Sequence, residues 1–171
     1  MSAVAFRTEL KQMNITYQVG DATRPASKGN KIIVHVCNDA GGWGKGFVMA
    51  LSRRWTGPEQ RYRAWYRHEE VLAFSLGQVQ FVQVENDIWV ANLIGQHGMA
   101  VRDGVPPVRY EAIRAGLRLV ATKAKELGAS VHMPRIGCGL AGGRWEDVEH
   151  IIHDEIISAG VVVTVYDLPQ R

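Results

Sequence analysis

Twice in this chain a run of β-branched residues breaks off into glycine and then resumes as a helix. "KIIVHV" (31–36) leads through "CNDAGGWGKGF" to Phe47, Val48, Leu51 and Trp55, which share one helical face. "SVHMPRI" (130–136) leads through "GCGLAGGRW" to Val148, Ile151, Ile152 and Ile156, a second such face. Strands separated by helices pack as a parallel sheet with its faces covered.

Four further strand-like runs stand at "NITYQV" (14–19), "QVQFVQV" (78–84), "DIWVANL" (87–93) and "VVVTVY" (161–166). Asn86-Asp87 is a tight-turn signal, so the third and fourth runs in chain order form an antiparallel hairpin. Tyr110, Ile113, Leu117, Val120, Ala124 and Leu127 make the longest helical face. "PEQRYRAWYRHE" starts a shorter helix at Pro58. The expectation is an α/β fold around a mixed, mostly parallel six-stranded sheet. No linker or repeat divides residues 1–171, so one domain is expected, with a core over about 14–168 and an N-terminal extension at 1–13.

Composition excludes several classes. With 46% hydrophobic residues the chain is globular. No stretch approaches the roughly 18 apolar residues of a membrane span. "MSAVAFRTEL" lacks the apolar centre of a secretory leader. A cytoplasmic protein with reduced Cys37 and Cys138 is expected, and no membrane partner. The net charge of +3 suits an anionic ligand, but both signs are mixed along the chain, so nucleic acid is not expected as a partner. The basic, aromatic "RYRAWYRH" (61–68) reads as a half-solvated helix burying Tyr62, Trp65 and Tyr66. No His, Cys or carboxylate cluster has metal spacing, and no cofactor is implied.

Glycine costs backbone entropy, so two glycine-rich loops need a reason. In open α/β sheets ligands bind beyond the carboxyl ends of the strands, where both loops lie. Backbone N–H groups there and at helix N-termini favour a diphosphate. Neither loop is a P-loop, because no Gly-Lys-Ser/Thr is present, and neither is a dinucleotide fingerprint. In "VGDAT" (19–23), Asp21 closes the first strand, where a carboxylate can accept from an exocyclic amine such as that of adenine.

"GD" after the first strand, an asparagine followed by "GKG" after the second, and "MPRIGCGLAGGRWE" at 133–146 together resemble the macrodomain family. The likeness is strongest to the terminal ADP-ribose glycohydrolase branch and its chromatin-remodeller relatives, and "TVYDL" (164–168) extends it. It runs from about Ile15 to Leu168. It implies a three-layer α/β/α macrodomain and an ADP-ribose cleft. By this resemblance Asp21 accepts from the adenine amine, with Ala22 beside it. Gly44, Lys45, Gly46 and Phe47 meet the diphosphate and distal ribose, near Asn38. Ile136, Gly137, Cys138, Gly139, Leu140 and Ala141 wrap the diphosphate from the other side. Tyr166 and Leu168 border the adenine pocket.

The chain departs from that branch at two places. The branch uses a lysine nucleophile after the strand equivalent to "DIWVANL", where this chain has Gly95-Gln96-His97. It uses an acid directly after "GCGL", where this chain has Ala141. A lysyl-ribose intermediate is therefore not expected. Asn38, Asp39 and Gln96 are the catalytic candidates, with His97 as a weaker one. Cys138 reads as a small packed residue rather than a nucleophile. The expected function is hydrolysis of mono-ADP-ribose from glutamate or aspartate of modified proteins by a water-dependent route. A non-catalytic ADP-ribose reader, an ADP-ribose 1″-phosphate phosphatase and an antitoxin-like nucleotide-binding protein stay open. The protein is expected to act as a monomer on ADP-ribose and mono-ADP-ribosylated proteins.

Overall fold

The computed structural model describes residues 14–170, so the expected extension at 1–13 lies outside the described residues. Six strands form one sheet: β1 (Thr16–Val19), β2 (Lys31–Asn38), β3 (Val79–Glu85), β4 (Ile88–Gln96), β5 (Ser130–Met133) and β6 (Val163–Asp167). Their order is β1-β6-β5-β2-β4-β3. Among the six described strands only β3 and β4 pair antiparallel, through the turn at Asn86-Asp87, and the other strand pairs are parallel.

Among the described residues four helices cover the sheet: α1 (Phe47–Arg54), α2 (Gly57–Tyr66), α3 (Tyr110–Leu127) and α4 (Trp145–Glu155). Side chains alternate across a strand, so central β2 serves two cores. Ile32 and Val34 pack with Ile113, Leu117 and Val148 from α3 and α4. Ile33 and Cys37 pack with Leu51, Tyr62 and Trp65 from α1 and α2. This is the three-layer arrangement that the alternation of elements predicts.

Some boundaries differ from the sequence reading. β5 stops at Met133, because Pro134 has no N–H for the ladder, and "PRI" joins the following loop. α2 ends at Tyr66, before "RHE", where His68 takes a left-handed conformation (φ 58°). Tyr66 is accordingly 43% exposed, while Tyr62 and Trp65 are fully buried. One irregularity positions the site. The register of β2 against β4 shifts between Cys37 and Asn38, which sets Asn38 opposite Gln96 at the carboxyl end of both strands.

Candidate functional site

A cleft of about 800 Å³ opens at the carboxyl ends of β2, β4 and β5. Its walls are the loop between β2 and α1 and the loop between β5 and α4. Of the residues expected at the site, Asn38, Gly44, Lys45, Gly46, Phe47, Gln96 and Ile136 to Ala141 line it. Asp21, Ala22, Asp39, Tyr166 and Leu168 are not part of that lining.

Those five have identifiable positions. Asp21 follows β1, and its Oδ1 accepts from the Thr23 N–H and hydroxyl, both at 2.8 Å. Ala22 is buried beside it. Tyr166 is buried in β6 with its hydroxyl 2.8 Å from His132 Nδ1, and Leu168 is exposed. Arg135 does line the cleft, and it reaches this group by pairing with Asp167 at 2.7 and 2.9 Å. Asp39 lies at the opposite side, on the rim.

Side chains build the first wall. Asn38 Oδ1 accepts from the N–H of Ala40 (2.9 Å) and Gly42 (3.0 Å) and from the Tyr62 hydroxyl (3.0 Å). Its Nδ2 donates to the Gly42 carbonyl at 2.9 Å. The amide of Asn38 is thus committed to shaping the loop. Asp39 clasps the next loop: Oδ1 accepts from the Gly98 N–H at 2.8 Å and Oδ2 lies 2.7 Å from His97 Nδ1. Burial raises the Asp39 pKa, but these two donors outweigh it and hold the carboxyl below its ordinary range. Gln96 Nε2 donates to the Gly98 carbonyl at 3.1 Å, which leaves its Oε1 for the cleft.

Backbone builds the second wall. The Gly143 N–H donates to the Gly137 carbonyl at 2.8 Å, and the Val108 N–H to the Ala141 carbonyl at 3.0 Å. A single 3₁₀ turn, Gly139–Ala141, follows the strand, and α4 begins only at Trp145. Among the described residues, the N–H groups of Cys138, Gly139 and Leu140 donate to no protein acceptor, nor do those of Gly44, Lys45, Gly46 and Phe47. Successive unpaired N–H groups are a site for an anion. α1 adds its uncapped N-terminus, with no acidic residue in its first turn.

The charge of the lining points the same way. It carries Lys45, Arg63 and Arg135 and no carboxylate. Lys45 forms no ion pair among the described residues. The Cys138 thiol is raised by burial, against the influence of Arg135, so it is not a ready thiolate. On the floor, burial pushes His35 down to about 4 despite its bond to Asn92, so it is neutral at pH 7.

Sequence reasoning missed Trp43, Arg63, Met99 and Arg135 among the residues that line the cleft. Trp43 is buried edge-on to His35, with ring centroids 5.2 Å apart, and its Nε1 donates to Ser52 Oγ at 2.8 Å. Its place among four glycines was a usable signal. Arg63 and Met99 come from a distant helix and loop, and no local pattern marks them.

The geometry defines an α/β protein with a cleft between two strand-end loops, lined by basic side chains and by backbone N–H groups without a protein acceptor. The Macro domain family model matches residues 34–152, and the chain belongs to the macrodomain family. A solved protein of unknown function from Bacteroides thetaiotaomicron superposes with a TM-score of 0.89 at 57% identity, over 92% of this chain and 99% of that one. A macrodomain protein from Streptomyces coelicolor does so with a TM-score of 0.81 at 59% identity, over 90% and 99%. Among curated relatives, the Chromodomain-helicase-DNA-binding protein 1-like of Mus musculus is 30% identical over 95% of this chain, which spans 19% of that relative. The ADP-ribose glycohydrolase OARD1 of Bos taurus is 37% identical over 60 residues, 34% of this chain and 40% of that relative. An ADP-ribose 1″-phosphate phosphatase of Lodderomyces elongisporus is 24% identical over 91% of this chain and all of its own length.

Proposed function

We propose that the chain binds ADP-ribose in this cleft and hydrolyses mono-ADP-ribose from glutamate or aspartate side chains without a lysine nucleophile. The observation that carries the reading is the row of unpaired backbone N–H groups on both walls, Gly44–Phe47 and Cys138–Leu140, facing a lining without carboxylates. A diphosphate supplies acceptors for both rows at once. The names of the Bos taurus and Lodderomyces elongisporus relatives support ADP-ribose derivatives as the substrate class.

The chemistry follows from what is present. Gln96 Oε1 holds a water at the end of the cleft, where the bulge sets Gln96 against Asn38. Asn38 shapes the loop that receives the distal ribose rather than orienting that water, because its amide oxygen already accepts three bonds. Water attacks the anomeric carbon, and the carboxylate departs with the bonding pair. A carboxylate is a good leaving group, so positioning and charge stabilisation suffice where a glycosidic bond to serine or arginine needs acid assistance.

The test is a time course with a protein mono-ADP-ribosylated on glutamate, reading released ADP-ribose. Gly44 has open space where a Cβ would stand, so Gly44→Glu fits the fold and puts bulk and negative charge into the cleft. Release by wild type and none by Gly44→Glu is the expected result. Binding of free ADP-ribose without release makes the protein a reader. Phosphate release from ADP-ribose 1″-phosphate without ester cleavage makes it a phosphatase.

A further inference from the structure

The cleft is bracketed by two arginines over opposite halves of the sheet. Arg135 stands at the β1–β6 side, stacked on Tyr17 and Trp145 at 5.2 and 5.1 Å and paired bidentately with Asp167. Arg63 comes from α2, which is tied to the β3–β4 side: Gln80 Nε2 donates to the Arg61 carbonyl at 2.9 Å, and Asn92 Nδ2 to the Pro58 carbonyl at 3.1 Å. The two guanidinium groups differ in how they are satisfied. Charge-assisted bonds of this kind run at about 2.7–2.9 Å. Those of Arg135 meet that range, whereas among the described residues Arg63 has only Glu59 at 3.7 Å and the Gly41 carbonyl at 3.4 Å. Arg63 is 45% exposed, faces the cleft, and keeps most of its donors for something else.

We propose that Arg63 binds the carboxylate that leaves when the ADP-ribosyl ester is cleaved. This rests on the hydrolase reading above. With the adenine at the Asp21 and Tyr166 side, the distal ribose lies at the Arg63 side, and the modified acid projects past Gly41. As the bond from water to the anomeric carbon forms and the bond from that carbon to the ester oxygen breaks, the electron pair collects on the carboxylate. The water proton passes to solvent. A guanidinium fork beside that oxygen stabilises charge that exists only late in the step, so it raises turnover more than binding.

The experiment compares wild type, Arg63→Gln and Arg63→Lys on two synthetic peptides, one carrying ADP-ribosyl glutamate and one its more acidic 4-fluoro analogue. Arg63→Gln is expected to lower kcat on the glutamate peptide about tenfold, with the affinity for free ADP-ribose within about twofold of wild type. The loss is expected to be smaller on the fluorinated peptide, whose carboxylate needs less help, and Arg63→Lys to recover part of it. In ¹⁸O water the label enters ADP-ribose and not the acid. An equal loss on both peptides, a parallel loss of ADP-ribose affinity, unchanged turnover, or label in the acid overturns the role of Arg63 and leaves the hydrolase reading standing. A wild type that cleaves neither peptide overturns both.

Discussion

The two walls of the cleft contain the same number of loop glycines, yet they are held in different ways. In the wall after β2, an added Cβ at Gly42 would stand 2.2 Å from Met99 Sδ, the far part of a flexible side chain. In the wall after β5, an added Cβ at Gly143 would stand 2.3 Å from the Gly137 carbonyl oxygen, which is backbone. Nearly equal clashes have unequal remedies. At Gly42 the neighbour is the end of a side chain that can move, and at Gly143 it is main chain that cannot. A glycine-rich stretch is therefore no evidence for a ligand until its glycines are sorted by what surrounds each one.

The sharpest way to break this comparison is to add that Cβ in both walls. Gly143→Ala is expected to cost about 3 kcal/mol of stability, read from denaturant midpoints. Equal losses for Gly143→Ala and Gly42→Ala would remove the distinction. Asn38→Ala takes out the side chain that organises the first wall and is expected to cost about 2 kcal/mol. The Tyr62 hydroxyl keeps its 2.7 Å bond to the Asn38 carbonyl, so the helix beneath stays in place. Gly42→Ala itself is expected to cost about 1 kcal/mol, because Met99 can turn away and Asn38 Nδ2, 3.1 Å from the added Cβ, has to give only slightly.

The smallest effect comes from acid. The folded-state pKa of Asp39 is depressed, so its contribution is present above the ordinary carboxylate range and is lost as pH falls through the folded value. The bond that holds Gly143 runs from its own N–H to the Gly137 carbonyl, and such a backbone bond does not titrate. Following amide resonances from pH 7 downwards, Gly98 is expected to shift and lose protection in that range while Gly143 does not. Both moving together would mean that the walls are one unit.

The layers and the cleft were legible because they rest on local signals. Period-two and helical spacing gave the six strands and four helices of the described residues in the right order, and Asn86-Asp87 gave the hairpin. "PRIGCGL" and "GGWGKG" pointed to both walls. What stayed hidden depends on partners far apart in the chain. Nothing near Asp39 announces His97, 58 residues on, and nothing near Gly143 announces that Val108 N–H and the Ala141 carbonyl pin its loop. The bulge that aligns Asn38 with Gln96 is set by pairing between strands. Arg63 sits in a segment whose composition reads as a solvated helix face, and only the fold turns it towards the cleft.

The most direct measurement is a titration of ¹⁵N-labelled protein with ADP-ribose, followed by amide shifts and paired with calorimetry. One molecule is expected to bind, with the largest shifts at the N–H groups of Gly44 to Phe47 and Cys138 to Leu140, and binding is expected to vanish in Gly44→Glu. No heat, or shifts confined to other surfaces such as the groove of Tyr110, Arg114 and His150 between α3 and α4, would contradict the assignment of this cleft.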